Sequence, residues 1–338
     1  PYGNNVSPIK YILSFGSAGH ILLRTERNTF WLPVICAVRR EKRISIIEQI
    51  KEPVLNLKNT RKYIWIFLLC CLPLSNILWY AAHSSGDESV STSLVILTSF
   101  LPALTALILC KISGEGWDNL MILPNIKKAW KIYLFAVAGA LVMSYLNELL
   151  MYLMFRGEVS FQAGAFTLRG LGEIFGMTIL GVLASVEMLG EELGWLGWLF
   201  PKLEKMHGTK AAMLLLALIR TMWHLGIIFF LPHPLIGLCD LFLSNLLSQG
   251  FLVYLTKKSA SLFPAAVVHA VTNLLPALVA YSDSFYQAHI VPMNGAGLVS
   301  AAVVGGISYL LMRKEKMFVQ GAGNEKRAKG TVHKLWNR

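Results

Sequence analysis

The sequence predicts an all-α membrane protein, a polytopic bundle of about eight transmembrane helices. Hydrophobic residues make up 55% of the 338 residues and charged residues only 15%, against roughly 25% charged in a soluble domain. Mean hydropathy is +0.54. Apolar runs long enough to cross a bilayer, which takes about 20 residues, recur along the chain, and Lys and Arg cluster between them. The net charge of +12 therefore reads as membrane topology rather than affinity for nucleic acid.

Taken in order, residues 1–60 form a basic segment to which no function is assigned. The chain opens on Pro1 with no Met before Met121, so this segment is expected to be a piece of a longer chain or an extension foreign to the native protein. The apolar patches at 11–15 and 30–38 lack the cleavage site of a signal peptide, and the first span is expected to serve as its own signal. Eight spans follow, at 63–82, 92–110, 129–155, 171–200, 211–231, 235–255, 262–281 and 290–312. The fourth exceeds one span and is expected to run on past the bilayer or to bend near Gly190 or Gly194. Residues 61–315 make the membrane domain, and 316–338 a basic, disordered tail suited to anionic lipid.

Arg39, Arg40, Lys42, Arg43, Lys58, Arg61 and Lys62 precede the first span, whereas the next loop carries Asp87 and Glu88 and no basic residue. Lys127, Lys128 and Lys131, then Lys202 and Lys205, then Lys257 and Lys258, then Arg313 and Lys314 continue the alternation. Both termini are expected in the cytoplasm of a bacterial cell; Arg156 and Arg169 break the pattern. The five Cys form no Cys-x-x-Cys pair, so neither a disulfide framework nor a structural zinc site is implied.

The polar residues inside the spans carry the chemistry. Glu191 and Glu192 lie in an apolar run that continues Leu193-Gly194-Trp195-Leu196-Gly197-Trp198. An acid at membrane depth is costly and usually faces a protein or water cavity. His224 lies in the fifth span; His269 and Asn273, four apart in the seventh, share one helical face. His269 lies about seven residues, or roughly 10 Å, into its span. Asn147 and Glu148, with Asp240 and Asn245, are further polar spots expected to make helix-to-helix hydrogen bonds. Glycines at 172, 176, 181, 190, 194 and 197 suit close helix packing.

If Glu191, His224, His269 and Asn273 converge, they support amide hydrolysis. A carboxylate in a cavity of low dielectric can act as general base on water, and His224 can share or orient that water. His269 and Asn273 can donate to the oxyanion of a tetrahedral intermediate, and Glu192 holds Glu191 in place. The same atoms allow a zinc reading, with His224, His269 and Glu191 as ligands and the second Glu as base. No His-Glu-x-x-His spacing selects a metal, and the metal-free version is preferred.

Glu191-Glu192 with Gly194-Trp195 and Gly197, then Leu199-Phe200-Pro201-Lys202-Leu203, then Trp223-His224-Leu225, then His269 and Asn273, together resemble the three motifs of the CAAX protease and bacteriocin-processing family of intramembrane endopeptidases. That family includes the type II CAAX prenyl endopeptidases and lysostaphin-resistance-like proteins. Ser99 to Leu104 and Gly114-Glu115-Gly116-Trp117 resemble its early spans. The resemblance implies that Glu191 and His224 activate water, that His269 and Asn273 bind the oxyanion, and that Glu192 supports them.

Two positions depart from that pattern. Leu196 stands where the first motif carries Arg, and Arg220 stands where the second carries an aromatic residue. Arg220 is expected to pair with Glu192 or Glu191, restoring the lost ion pair from the neighbouring helix. The expected substrate is a peptide or membrane protein, prenylated or not, met at the lipid bilayer. An inactive family member serving as scaffold or immunity factor is the alternative, followed by a transporter with an intramembrane proton relay.

Overall fold

The computed structural model describes residues 59–231 and 233–322, with the side chain of Asp118 excepted, and before them only four backbone elements. The chain divides into two compact units, Pro1–Arg61 and Lys62–Arg338. In the first, β1 (Ile12–Phe15), β2 (Ile21–Arg24) and β3 (Thr29–Leu32) form an antiparallel sheet in that order. The expectations for the rest of residues 1–58 and for 323–338 lie outside the described residues.

The second unit is an all-α bundle. Helix α1 (Val34–Ser84) enters it at Lys62, and α2 (Glu88–Ser113) follows after a short turn. Asp87 caps α2, its Oδ1 accepting from the amides of Ser89 at 2.8 Å and Val90 at 3.2 Å, which satisfies donors that the first turn leaves free. Gly114 closes the helix with φ 73°, a left-handed stop that glycine adopts at little cost. Next come α3 (Ile126–Met154), the two-residue strand β4 (Ser160–Phe161) and α4 (Leu168–Glu192), which leads through a π-helical stretch, Leu193–Leu199, into α5 (Phe200–His207). Then follow α6 (Thr209–Trp223), α7 (Leu225–Ile228), α8 (Pro234–Ser259), α9 (Phe263–Leu274), β5 (Val279–Ala280), α10 (Asp283–Ala288) and α11 (Ile290–Lys314).

Six helices among the described residues are long and apolar enough to span a bilayer: Asn59–Ser84, Glu88–Ser113, Ile126–Met154, Leu168–His207, Pro234–Ser259 and Ile290–Lys314. The protein is an integral, multi-pass membrane protein. The remaining two of the eight expected spans are broken. The span expected at 211–231 ends as a regular helix at Trp223, and the one expected at 262–281 ends at Leu274, where Pro276 forces Leu275 into an extended conformation with ψ 134°. Such breaks persist at membrane depth only where the freed backbone groups find partners inside the protein. Here Glu148 accepts from the amides of Leu278 and Val279, and β4 pairs with β5 beside it.

Close helix approaches fix the frame around α4. A Cβ added to Gly194 would lie 2.4 Å from Pro102 of α2, and one added to Gly181 would lie 2.8 Å from the Val271 backbone of α9. Gly172 and Gly176 face open space instead, so packing does not explain them. The basic helix ends gather: Lys202 pairs with Glu115 at 2.6 Å, Lys257 with Glu204 at 2.6 Å and Lys258 with Glu315 at 2.5 Å. Contrary to the disorder expected from residue 316, Lys257 holds the Met317 carbonyl and Val319 exchanges hydrogen bonds with Thr209.

Candidate active site

The acidic pair ends α4, and the helix widens immediately after it. The Phe200 amide donates to the carbonyl of Trp195, five residues back, and such π turns recur at functional sites. The extra residue in the turn lets Trp195, Leu196 and Trp198 all point inward, each no more than 1% exposed. Phe67 of α1 stacks on Trp198 with centroids 4.9 Å apart, Trp195 meets Trp223 edge-on at 5.9 Å, and Trp79 meets Trp223 at 5.4 Å. This aromatic seam excludes water from one side of the carboxylates and strengthens every charge interaction there.

Within that seam the two carboxylates differ. Glu192, fully buried, is saturated: Arg220 Nη1 donates to its Oε2 at 3.1 Å and Nη2 to its Oε1 at 3.0 Å. Its Oε1 also lies 3.2 Å from His269 Nδ1. A two-point guanidinium bond of this kind fixes both distance and plane. Glu191, also buried, lies 4.0 Å from both Arg220 Nη2 and His269 Nδ1, and its Oε2 has no hydrogen-bond partner. Ser99 of α2 stands beside it. One guanidinium thus faces two carboxylates and is committed to one of them.

The expected Arg220 pair is therefore present, reached from α6 to α4. Leu196 packs in the apolar core instead of supplying a guanidinium. His224 caps α6 one turn beyond Arg220, and its Nδ1 lies 2.9 Å from the Arg220 carbonyl. A carbonyl only accepts, so Nδ1 carries the proton and Nε2 keeps a lone pair. The ring is clasped by Trp79, stacked at 5.8 Å, and by Trp223, edge-on at 4.5 Å. Asn273 is more distant from the pair: it is exposed, and its Nδ2 lies 4.0 Å from Met188 Sδ on α4.

Sequence reasoning passed over the residue that shapes the break at His224. Asn76 of α1 donates to the Met222 carbonyl at 3.0 Å and accepts from the Gly226 amide at 2.6 Å, bracketing His224 on both sides. These are backbone groups that the helix end leaves free. An Asn inside the apolar span 63–82 was the available signal. Glu148, by contrast, holds loop amides and lies in no cluster with the site residues. Asn245 makes the expected bond between helices, to Thr221 at 3.3 Å.

Among the described residues no three His, Cys, Asp or Glu side chains form a group able to hold a metal ion, and both oxygens of Glu192 are engaged by Arg220.

Residues 171–275, which contain every candidate site residue, match the family model described as Type II CAAX prenyl endopeptidase Rce1-like. A comparison with curated proteins found no match.

Proposed function

We propose that this membrane protein, whose residues 171–275 match the Rce1-like type II CAAX prenyl endopeptidase model, hydrolyses a peptide bond with water activated by Glu191. The observation that carries this reading is the asymmetry of the acidic pair: Glu192 has both oxygens bonded, whereas Glu191 keeps a buried oxygen without a partner. Leaving a buried acceptor unpaired costs about 1 to 3 kcal/mol, more when it is charged. Such a group is retained where a reactant supplies the missing donor.

In this mechanism Glu191 takes a proton from water while the oxygen adds to the scissile carbonyl carbon. His224, with Nε2 as acceptor, orients the water in the plane of its ring. The developing oxyanion is met by His269, which as an imidazolium donates from Nε2 while its Nδ1 donates to Glu192, and by the Asn273 amide once it turns from Met188. A preorganised donor of this kind contributes about 3 to 4 kcal/mol. The carbon–nitrogen bond then breaks, and Glu191 returns its proton to the leaving nitrogen. Arg220 and Glu192 touch no reacting atom; they hold His269 and keep a positive charge close to Glu191.

The face that carries Lys257 and Lys258 is read from the charge distribution as cytoplasmic. The substrate is a peptide or membrane protein presented at that face, prenylated or unmodified. Purified full-length protein should cleave at least one member of a panel of quenched farnesylated and unmodified peptides, and Glu191→Ala and His224→Ala should both abolish it. Cleavage that survives in folded Glu191→Ala would remove Glu191 from the mechanism; folded wild type that cleaves nothing would favour the inactive scaffold, with Leu196 as the departure from the family pattern that first suggested it.

A further inference from the structure

Helices α3, α8 and α11 line an open cavity of about 390 Å³, bordered by Tyr281 and Tyr286 from the connection between α9 and α11. None of Glu191, Glu192, Arg220, His224, His269 and Asn273 lines it, and Asp240 is the one acid in its lining.

The one charged residue in the lining is an acid. The lining contains no Lys, Arg or His, and Asp240 has no ion-pair partner among the described residues. Asn147 Oδ1 is buried with no hydrogen-bond partner. Several of the lining's donors are already used: Tyr286 donates its hydroxyl to Asn294 Oδ1 at 3.1 Å, Asn245 donates to Thr221, and Ser248 donates to the Ser244 carbonyl at 2.7 Å. An unpaired carboxylate inside a membrane helix is costly and marks a ligand or ion path more often than it serves packing. The complement of these groups is a species that brings positive charge and donors together.

Size and aromatic content narrow that species. The volume lies in the range of small-molecule sites, about 300 to 1,000 Å³, and is far too roomy for a bare ion. Tyr281 and Tyr286 lie nearly parallel, centroids 6.1 Å apart, and offer the π faces that attract ammonium groups. Asp240 is near enough to Tyr286 to help raise the phenol's pKa, after burial as the larger cause.

We propose that this cavity binds an organic ammonium group, its charge beside Asp240, its polar hydrogens toward Asn147 and its apolar flank against the tyrosine rings. Two sources share that chemistry: the headgroup of an amine-bearing phospholipid, which reaches the cavity from the bilayer, and a free amine in solution.

The test uses the full chain in nanodiscs of phosphatidylglycerol, which carries no amine, titrated calorimetrically with ethanolamine and with choline. At least one probe should bind, and Asp240→Asn should weaken it by about tenfold or more, as the loss of one partner of a buried charge pair does. Because Asp240→Asn could disturb α8, Tyr281→Ala, at an exposed ring, provides a second variant and should weaken binding severalfold. Native mass spectrometry from nanodiscs containing phosphatidylethanolamine separates the sources: that lipid retained on wild type and lost from Asp240→Asn identifies the headgroup, and its absence beside calorimetric binding identifies a free amine. If wild type binds neither probe nor lipid, or if folded Asp240→Asn and Tyr281→Ala bind like wild type, the assignment is overturned.

Discussion

Replacing Arg220 by Leu probes the arrangement most severely, because it strips Glu192 of its countercharge without opening a large void. With a separation of about 3 Å and an effective dielectric near 20, the direct attraction amounts to roughly 5 to 6 kcal/mol. Desolvation offsets much of this when the pair forms, but removing one partner leaves the other buried and unpaired, which costs about 3 to 5 kcal/mol. For a bundle of this size that corresponds to a fall in Tm on the order of 10 °C, measured by differential scanning fluorimetry in detergent. Peptidase activity should fall with it, since His269 loses its anchor and Glu191 faces a neighbouring carboxylate with no guanidinium between them. Adding Leu196→Arg to Arg220→Leu returns a guanidinium to the position one turn beyond Glu192 and should recover part of both losses. Equal Tm and equal turnover in Arg220→Leu and wild type would refute the reasoning.

Four other substitutions have distinct expected outcomes. Glu191→Gln should reduce turnover by at least about a thousandfold, in line with loss of a general base together with its charge, while Tm changes little because Glu191 Oε2 stands 4.0 Å from Arg220 and His269 and hydrogen-bonds to neither; a fall in Tm like that of Arg220→Leu would mean that Glu191 is structural. Asn76→Ala should cost about 1 to 3 kcal/mol by leaving the Met222 carbonyl and the Gly226 amide unpaired, and should lower kcat more than it raises KM as His224 loosens; unchanged kinetics would dissociate the clamp from the site. Glu148→Ala should lower Tm by freeing the amides of Leu278 and Val279, with the folded fraction retaining wild-type kcat; loss of kcat at unchanged Tm would give Glu148 a part in the chemistry that its contacts do not suggest. Gly194→Ala places a Cβ against the Pro102 backbone and should destabilise by about 1 to 3 kcal/mol, as overpacking does; a neutral Tm would show that α2 gives way there.

Much of this architecture was legible from residue types, and what was hidden has a physical cause. Apolar length marks a span only when the helix runs unbroken, so the six continuous spans could be read directly. The spans ending at Trp223 and Leu274 were harder to read: Pro276 marks the second break, but both breaks are sustained by Asn76 and Glu148 reaching in from other helices. The pairing of Arg220 with Glu192 was readable because a basic residue at membrane depth needs an acid and Leu196 had vacated the familiar position. The difference between the two adjacent acids was not readable, since it depends on which carboxylate the guanidinium meets after α4 and α6 pack. Likewise the sequence shows His269 and Asn273 on one face, whereas only the fold shows His269 against Glu192 and Asn273 turned to Met188. Asp240 and Asn245 look alike as polar spots in one span, yet Asn245 finds Thr221 and Asp240 finds no partner among the described residues.

The role of Glu191 as base toward water is tested most directly by isotope in a single turnover. With enzyme in excess over a cleavable peptide in water enriched in oxygen-18, mass spectrometry of both product and protein locates the label. The account predicts one oxygen-18 in the new carboxylate of the peptide product and none in the tryptic peptide containing Glu191. Label appearing in Glu191, with the first product unlabelled, would show that its carboxylate attacks the carbonyl itself and would contradict the account.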